Sequence, residues 1–88
     1  MLTLIYQKSF TKDLARIEKR GKDLQKLSDI VSQLIAQKNL PLKNRNHKLK
    51  GNLQDCWECH IEPDWLLIYQ KTSEEIVLVG TGSHADLF

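Results

Sequence analysis

Three histidines and one aspartate, His47, His60, His84 and Asp64, are the side chains of this 88-residue chain best suited to moving protons. An unperturbed imidazole titrates near 6.5, so close to neutrality one ring can accept a proton while a second donates one. A lone histidine is more often structural or merely exposed than catalytic. Three of them with a carboxylate, one set among cations, make a group with a chemical use. Asp64 closes the turn Glu62-Pro63-Asp64, where the fixed backbone of Pro63 limits the directions its carboxylate can take.

The bond such a set can break without a metal is the phosphodiester of RNA, which carries its own nucleophile. Withdrawing the proton of the ribose 2′-OH lets that oxygen attack the adjacent phosphorus, and a proton delivered to the departing 5′-oxygen avoids an alkoxide. Charge building on the phosphate oxygens then needs a cation. Lys43, Arg45, Lys48 and Lys50 surround His47 in a span, residues 30–54, that also holds Lys38 and contains no acidic residue. Lys48 and Lys50 are the expected phosphate partners. Trp65 and Phe88 read either as core aromatics or as platforms for base stacking.

The string Cys56 to His60, CWECH, has the spacing of covalent haem attachment, and its C-x-x-C also suggests zinc or redox chemistry. Haem attachment needs export, and structural zinc needs a second ligand pair at a recognised spacing. In an extended strand, positions three apart lie roughly 10 Å from each other on opposite faces, too far for a disulfide. The expectation is two free thiols, no metal and no cofactor. Trp57, Cys59 and Ile61 share one face of that strand, and Cys56, Glu58, His60 and Glu62 share the other.

These groups must be positioned by a short series of elements. Leu2, Leu4 and Tyr6 alternate with Thr3, Ile5 and Gln7 as an opening strand, apolar enough on both faces to suggest an interior position. Ser9 or Thr11 can cap a helix carrying Phe10, Leu14 and Ile17, ended by Gly21. A second helix runs from about Asp23 to Lys38 with Leu24, Leu27, Val31, Leu34 and Ile35 along one stripe. Residues 39–52, rich in Asn with Pro41 and Gly51, read as a basic loop. Three short strands follow, Cys56 to Ile61, Trp65 to Lys71 and Ile76 to Thr81, joined by turns tight enough to make them antiparallel.

The predicted class is α+β, a small and mainly antiparallel sheet with an N-terminal helical hairpin packed on one face, in the order β-α-α-β-β-β. The chain is long enough for one domain, residues 1–88, with function on the open face or rim. The net charge of +2 hides a division: residues 1–54 hold 12 Lys and Arg against 4 Asp and Glu, and residues 55–88 hold 1 against 7. The basic portion suits a polyanion. No apolar run has the length of a membrane span and the N-terminus lacks the pattern of a signal peptide, so a cytoplasmic location is expected.

The strings NHKLKG at Asn46 to Gly51, CHIEPDWLLIY at Cys59 to Tyr69 and TGSHADLF at Thr81 to Phe88 resemble the YafQ-type toxins of the RelE/ParE superfamily. The likeness spans the whole chain, with the helices matching by pattern alone. It implies a type II toxin that cleaves messenger RNA on the ribosome and inhibits translation, and a cognate antitoxin that silences it. That partner is expected to add to the sheet edge or pack on the hairpin, with its acidic residues near the basic loop. By position, the resemblance implies His47, His60, Asp64 and His84 as the acid-base set, and Trp65 and Phe88 as its aromatic positions. Many relatives carry an arginine immediately before the last Thr-Gly, where this chain has Gly80. Two alternatives share the architecture or the charge: a ParE-like toxin acting on a protein such as gyrase, and a noncatalytic RNA- or ribosome-binding module.

Overall fold

A computed structural model of the chain describes residues 1–49 and 55–88. Strand β1 (Thr3–Tyr6) leads into helices α1 (Lys8–Lys19) and α2 (Leu24–Ile35), then a 3-10 turn (Leu42–Asn44) and a two-residue strand β2 (His47–Lys48). Strands β3 (Trp57–Glu62), β4 (Trp65–Lys71) and β5 (Glu75–Gly82) follow, and a four-residue helix α3 (His84–Leu87) ends the chain. The strands form one sheet in the order β1-β5-β4-β3-β2. All pairings are antiparallel except β1 with β5.

β1 is therefore an edge strand, contrary to the interior position its two apolar faces suggested. The helical hairpin covers one side of it, so Leu2 is buried, while Ile5 and Tyr6 stay exposed at 36% and 59%. β1 accompanies β5 only as far as Leu78. Beyond that point α1 takes over the edge of β5: Ser9 Oγ donates to the Val79 carbonyl at 2.6 Å and Asp13 Oδ2 accepts the Thr81 N–H at 3.2 Å. Ser9 thus serves the sheet instead of capping α1, whose N-cap is Gln7 with no side-chain bond, and Thr11 Oγ1 turns back to the Gln7 carbonyl.

Asp23 caps α2 by accepting the Gln25 N–H at 3.0 Å, and Gly21, at φ +79°, makes the turn between the helices. α2 ends at Ile35, before the expected Lys38, because Gln37 adopts φ +59°. The apolar stripes of both helices meet the sheet: Phe10, Ile17, Leu27, Ile30, Val31 and Leu34 join Cys59, Trp65, Leu67, Tyr69, Ile76 and Leu78 in one buried cluster. Each such side chain withdrawn from water contributes roughly 1.5–3 kcal/mol before entropy is charged against it.

The basic segment is more structured than its turn residues implied. Asn44 Nδ2 donates to the His60 carbonyl at 2.7 Å, and Tyr69 donates its hydroxyl to Asn46 Oδ1 at 2.6 Å, so two asparagines tie the segment to β3 and β4. Arg45, at φ +47°, turns the chain between them into β2, which extends the sheet by pairing His47 with Glu58 and Lys48 with Trp57.

Register then fixes what shares the face opposite the hairpin. Residues directly opposite in antiparallel strands point the same way. His47, Glu58, Ile68 and Gly80 form one row across four strands, and His60, Leu66 and Gly82 form the next. A bulge between His60 and Glu62 changes the alternation, so Glu62 pairs with Trp65 and reaches Lys22 and Lys26 of the hairpin, both at 2.9 Å. Glu62 therefore leaves the face of Glu58 and His60 that uninterrupted alternation assigned to it.

Candidate active site

The second row ends where the chain leaves β5, and there α3 begins. Ser83 is its N-cap in a reciprocal box: Ser83 Oγ accepts the Asp86 N–H at 3.2 Å, and Asp86 Oδ2 accepts the Ser83 N–H at 2.9 Å. This places the first helical residue, His84, over the turn that joins β3 to β4. Asp64 Oδ1 accepts both the backbone N–H of His84 at 2.9 Å and its ring Nδ1–H at 2.7 Å. The two N–H groups, the backbone one first, hold the Asp64 carboxyl below the usual carboxylate range. With Nδ1 committed as donor, Nε2 of His84 is the nitrogen left for proton exchange. Both side chains are open to solvent, at 55% and 67%.

His60 lies beside this pair, its ring centroid 5.7 Å from that of His84. Nδ1 faces the Pro63 carbonyl at 3.2 Å and Nε2 faces Glu58 Oε1 at 3.2 Å. Glu58 is 6% exposed, and a buried polar side chain needs a polar neighbour such as this ring. His47 is exposed and adjoins Glu58 through the β2–β3 pairing, and its Nδ1 donates to the Arg45 carbonyl at 2.7 Å, leaving Nε2 without a partner among the described residues. The fold thus brings His60, Asp64 and His84 together above Glu58, and sets His47 beside Glu58 in the neighbouring row of the same face.

The cations divide. Lys43 and Arg45 line a cavity of about 550 Å³ together with His60 and Pro63. Lys48 alternates with His47 and so points to the opposite side of β2, away from the phosphate role expected of it. Lys50 lies outside the described residues. A second cavity, about 450 Å³, opens on the hairpin side of the same turn, lined by Arg20, Lys22, Lys26, Asp64 and Ser83. These hairpin cations were not anticipated; they come from a helix end and become neighbours of the site only when the hairpin packs.

Trp65 leaves the substrate-binding set. It is 1% exposed, with Nε1 donating to Thr81 Oγ1 at 3.0 Å, and a ring enclosed in the core has no face to offer a base. Phe88 is 61% exposed next to α3 and keeps that capacity. Cys56 and Cys59 are free and buried, and burial, with Glu58 adding to it, pushes the Cys59 thiol up to about 12. The metal candidate lies elsewhere: Glu58, His60 and His84 each place one ligand atom within 4.8 Å of the others. Glu58 was overlooked as a site residue. Its position two before His60 on one strand face was the available signal.

A family model described as a bacterial toxin of type II toxin-antitoxin system, YafQ, matches residues 2–88. The chain belongs to this family. It is 37% identical over 84 residues to the mRNA interferase toxin YafQ of Escherichia coli K12, covering 94% of this chain and 91% of the relative. The YafQ fold is shared in full: a crystal structure of the E. coli DinJ-YafQ toxin-antitoxin complex matches with a TM-score of 0.92 at 35% identity, over 99% of this chain and 97% of the other. A copper-bound mutant toxin from Helicobacter pylori matches over the whole of both chains with a TM-score of 0.95 at 36% identity.

Within this YafQ fold, position 80 stands in the row of His47, Glu58 and Ile68. A Cβ there would lie 3.1 Å from Asp13 Oδ2 and 3.4 Å from Leu87 Cδ2. A side chain at 80 would thus start beside an acidic group on α1, close to the end of α3. Among the described residues no helix is long and apolar enough to cross a membrane.

Proposed function

We propose that this toxin is a metal-independent endoribonuclease that cuts messenger RNA on the ribosome in the cytoplasm and is silenced by a cognate antitoxin. The observation that carries the reading is the double hydrogen bond from His84 to Asp64 Oδ1, with the ring of His60 5.7 Å from that of His84. Asp64 fixes the tautomer of His84, so its Nε2 takes the proton of the ribose 2′-OH. His60, between Pro63 and Glu58, lies beside the attacked phosphate, and the cations Lys43 and Arg45 that line the same cavity supply the positive charge it needs, in place of the arginine absent at Gly80. His47, whose Nδ1 is engaged by the Arg45 carbonyl, returns a proton from Nε2 to the departing 5′-oxygen. Lys43 and Arg45 on one side of the turn and Lys22 and Lys26 on the other guide the RNA backbone across this rim. The E. coli relative is named an mRNA interferase and has been crystallised with an antitoxin, which supports both the substrate and the partner.

Inducible expression with mapping of message 5′ ends tests the reading. Discrete new ends are expected from the wild-type chain and none from His84→Ala. Ends of equal abundance from His84→Ala would remove His84 from the chemistry, and ribosome binding without new ends would leave a binding module. Coexpression with the neighbouring antitoxin gene should abolish the ends and yield a copurifying complex.

A second reading of the same cluster rests on the ligand geometry of Glu58, His60 and His84. Two imidazoles and a carboxylate suit copper(II), and the H. pylori toxin was crystallised with copper. An ion held there would engage the ring of His84, the base of the scheme above. Copper is therefore an inhibitor in this scheme: cleavage should survive a chelator and fall on addition of stoichiometric copper.

A further inference from the structure

A helix of four residues has no stability of its own, because nucleation fixes several residues before hydrogen bonds repay the cost. α3 is such a helix, yet it carries His84. What holds it must come from outside. Asp86, the other half of its capping box, is gripped by Arg20, the C-cap of α1, through a two-pronged contact: Nη1 donates to Oδ2 at 2.5 Å and Nη2 to Oδ1 at 3.0 Å. The guanidinium, followed by the Ser83 N–H, drives the Asp86 carboxyl well below the usual carboxylate range.

Only glycine at position 82 lets the carboxylate come this close to the end of β5. Gly82 sits at φ +154°, and a Cβ on it would fall 2.8 Å from Asp86 Oδ2 and 2.9 Å from Asp86 Cβ. Oδ2 is shared between Arg20 and the Ser83 N–H, so the fork from α1 and the cap of α3 meet on one atom. From that atom the chain needs only one step to His84, whose own N–H lands on Asp64.

We propose that Arg20 is a positioning residue for the nuclease reaction: through Asp86 it locks the start of α3 and thereby aims His84 at Asp64. This rests on the nuclease reading above, and Arg20 itself need not touch the RNA. The planar fork matters more than the charge, since a lysine ammonium cannot hold both carboxylate oxygens at once.

Arg20→Ala, Arg20→Lys and Asp86→Asn are compared with wild type by single-turnover cleavage and by amide hydrogen exchange. For Arg20→Ala and Asp86→Asn the expected result is a fall in kcat of about 10- to 100-fold with KM nearly unchanged, the scale of a misaimed catalytic group. Arg20→Lys recovers part of it. The amides of Ser83, His84 and Asp86 should exchange about tenfold faster or more, while those of β4 and β5 keep wild-type protection. A raised KM with unchanged kcat would make Arg20 an RNA contact and overturn the proposal. So would unaltered exchange at His84. The exchange measurement reads the lock whether or not the chain cleaves RNA, so failure of the positioning and failure of the nuclease reading give different results.

Discussion

Asp64 and His84, twenty residues apart, share a single oxygen: Oδ1 of the aspartate receives both the main-chain and the ring N–H of the histidine. A ring held by one hydrogen bond can rotate about it, whereas a ring whose backbone is bound to the same atom cannot. Asp64→Asn should therefore leave the fold intact, because the pair is exposed, yet lower kcat by about 10²- to 10⁴-fold, as expected when an orienting carboxylate is lost. Single-turnover cleavage alongside a thermal melt checks both halves of the expectation.

Acid should unfold the protein through three carboxylates. Asp64 is depressed by the N–H groups of His84, Glu62 by Lys22 and then Lys26, and Asp86 by Arg20. A group depressed in the folded state adds stability above its unfolded pKa, near 3.9 to 4.3, and loses it as pH falls through the folded value. The melting temperature is thus expected to stay level from neutrality down to about pH 5 and to fall below about pH 4. Asp86→Asn should flatten that fall. A decline that began at pH 6 instead would contradict this assignment.

Neither cysteine should react in the native state. Cys59 is fully buried and its thiol is pushed up to about 12, so little thiolate exists near neutrality. A thiol reagent should label both Cys56 and Cys59 only after denaturant is added, and mass spectrometry should show no haem adduct and no disulfide. Rapid labelling of the folded chain would contradict the burial of this strand.

Trp65 and Phe88 should separate stability from binding. Trp65→Ala removes a fully enclosed ring and is expected to cost about 3–5 kcal/mol in denaturant unfolding. Phe88→Ala removes an exposed ring and should leave unfolding within about 0.5 kcal/mol. If the ring stacks on a base, its loss weakens RNA binding by about 1–3 kcal/mol.

Gly80→Arg tests the missing charge. The new side chain would start in the row of His47 and Glu58, beside Asp13. If phosphate charge limits the reaction, kcat should rise about tenfold, and Gly80→Ala, which adds bulk without charge, should not reproduce the gain. Equal rates in all three proteins would assign the whole of that charge to the loop cations.

Local chemistry made much of this readable along the chain. Period-3.6 stripes gave two helices, Asp23 and Gly21 marked the boundary between them, and alternation with tight turns gave three antiparallel strands, because these signals depend on neighbours within a few residues. The same alternation put His60 on the face away from the core. Motifs supplied the four acid-base residues by resemblance. What no local pattern contains is which groups meet. The edge position of β1, the fifth strand at His47, the bulge that sends Glu62 to the hairpin, the enclosure of Trp65, the turning of Lys48 away from the site, and the joining of Arg20 to Asp86 across the molecule all follow from sheet order and packing. Those are contacts between residues far apart in sequence, and their partners are chosen only when the hairpin closes on the sheet.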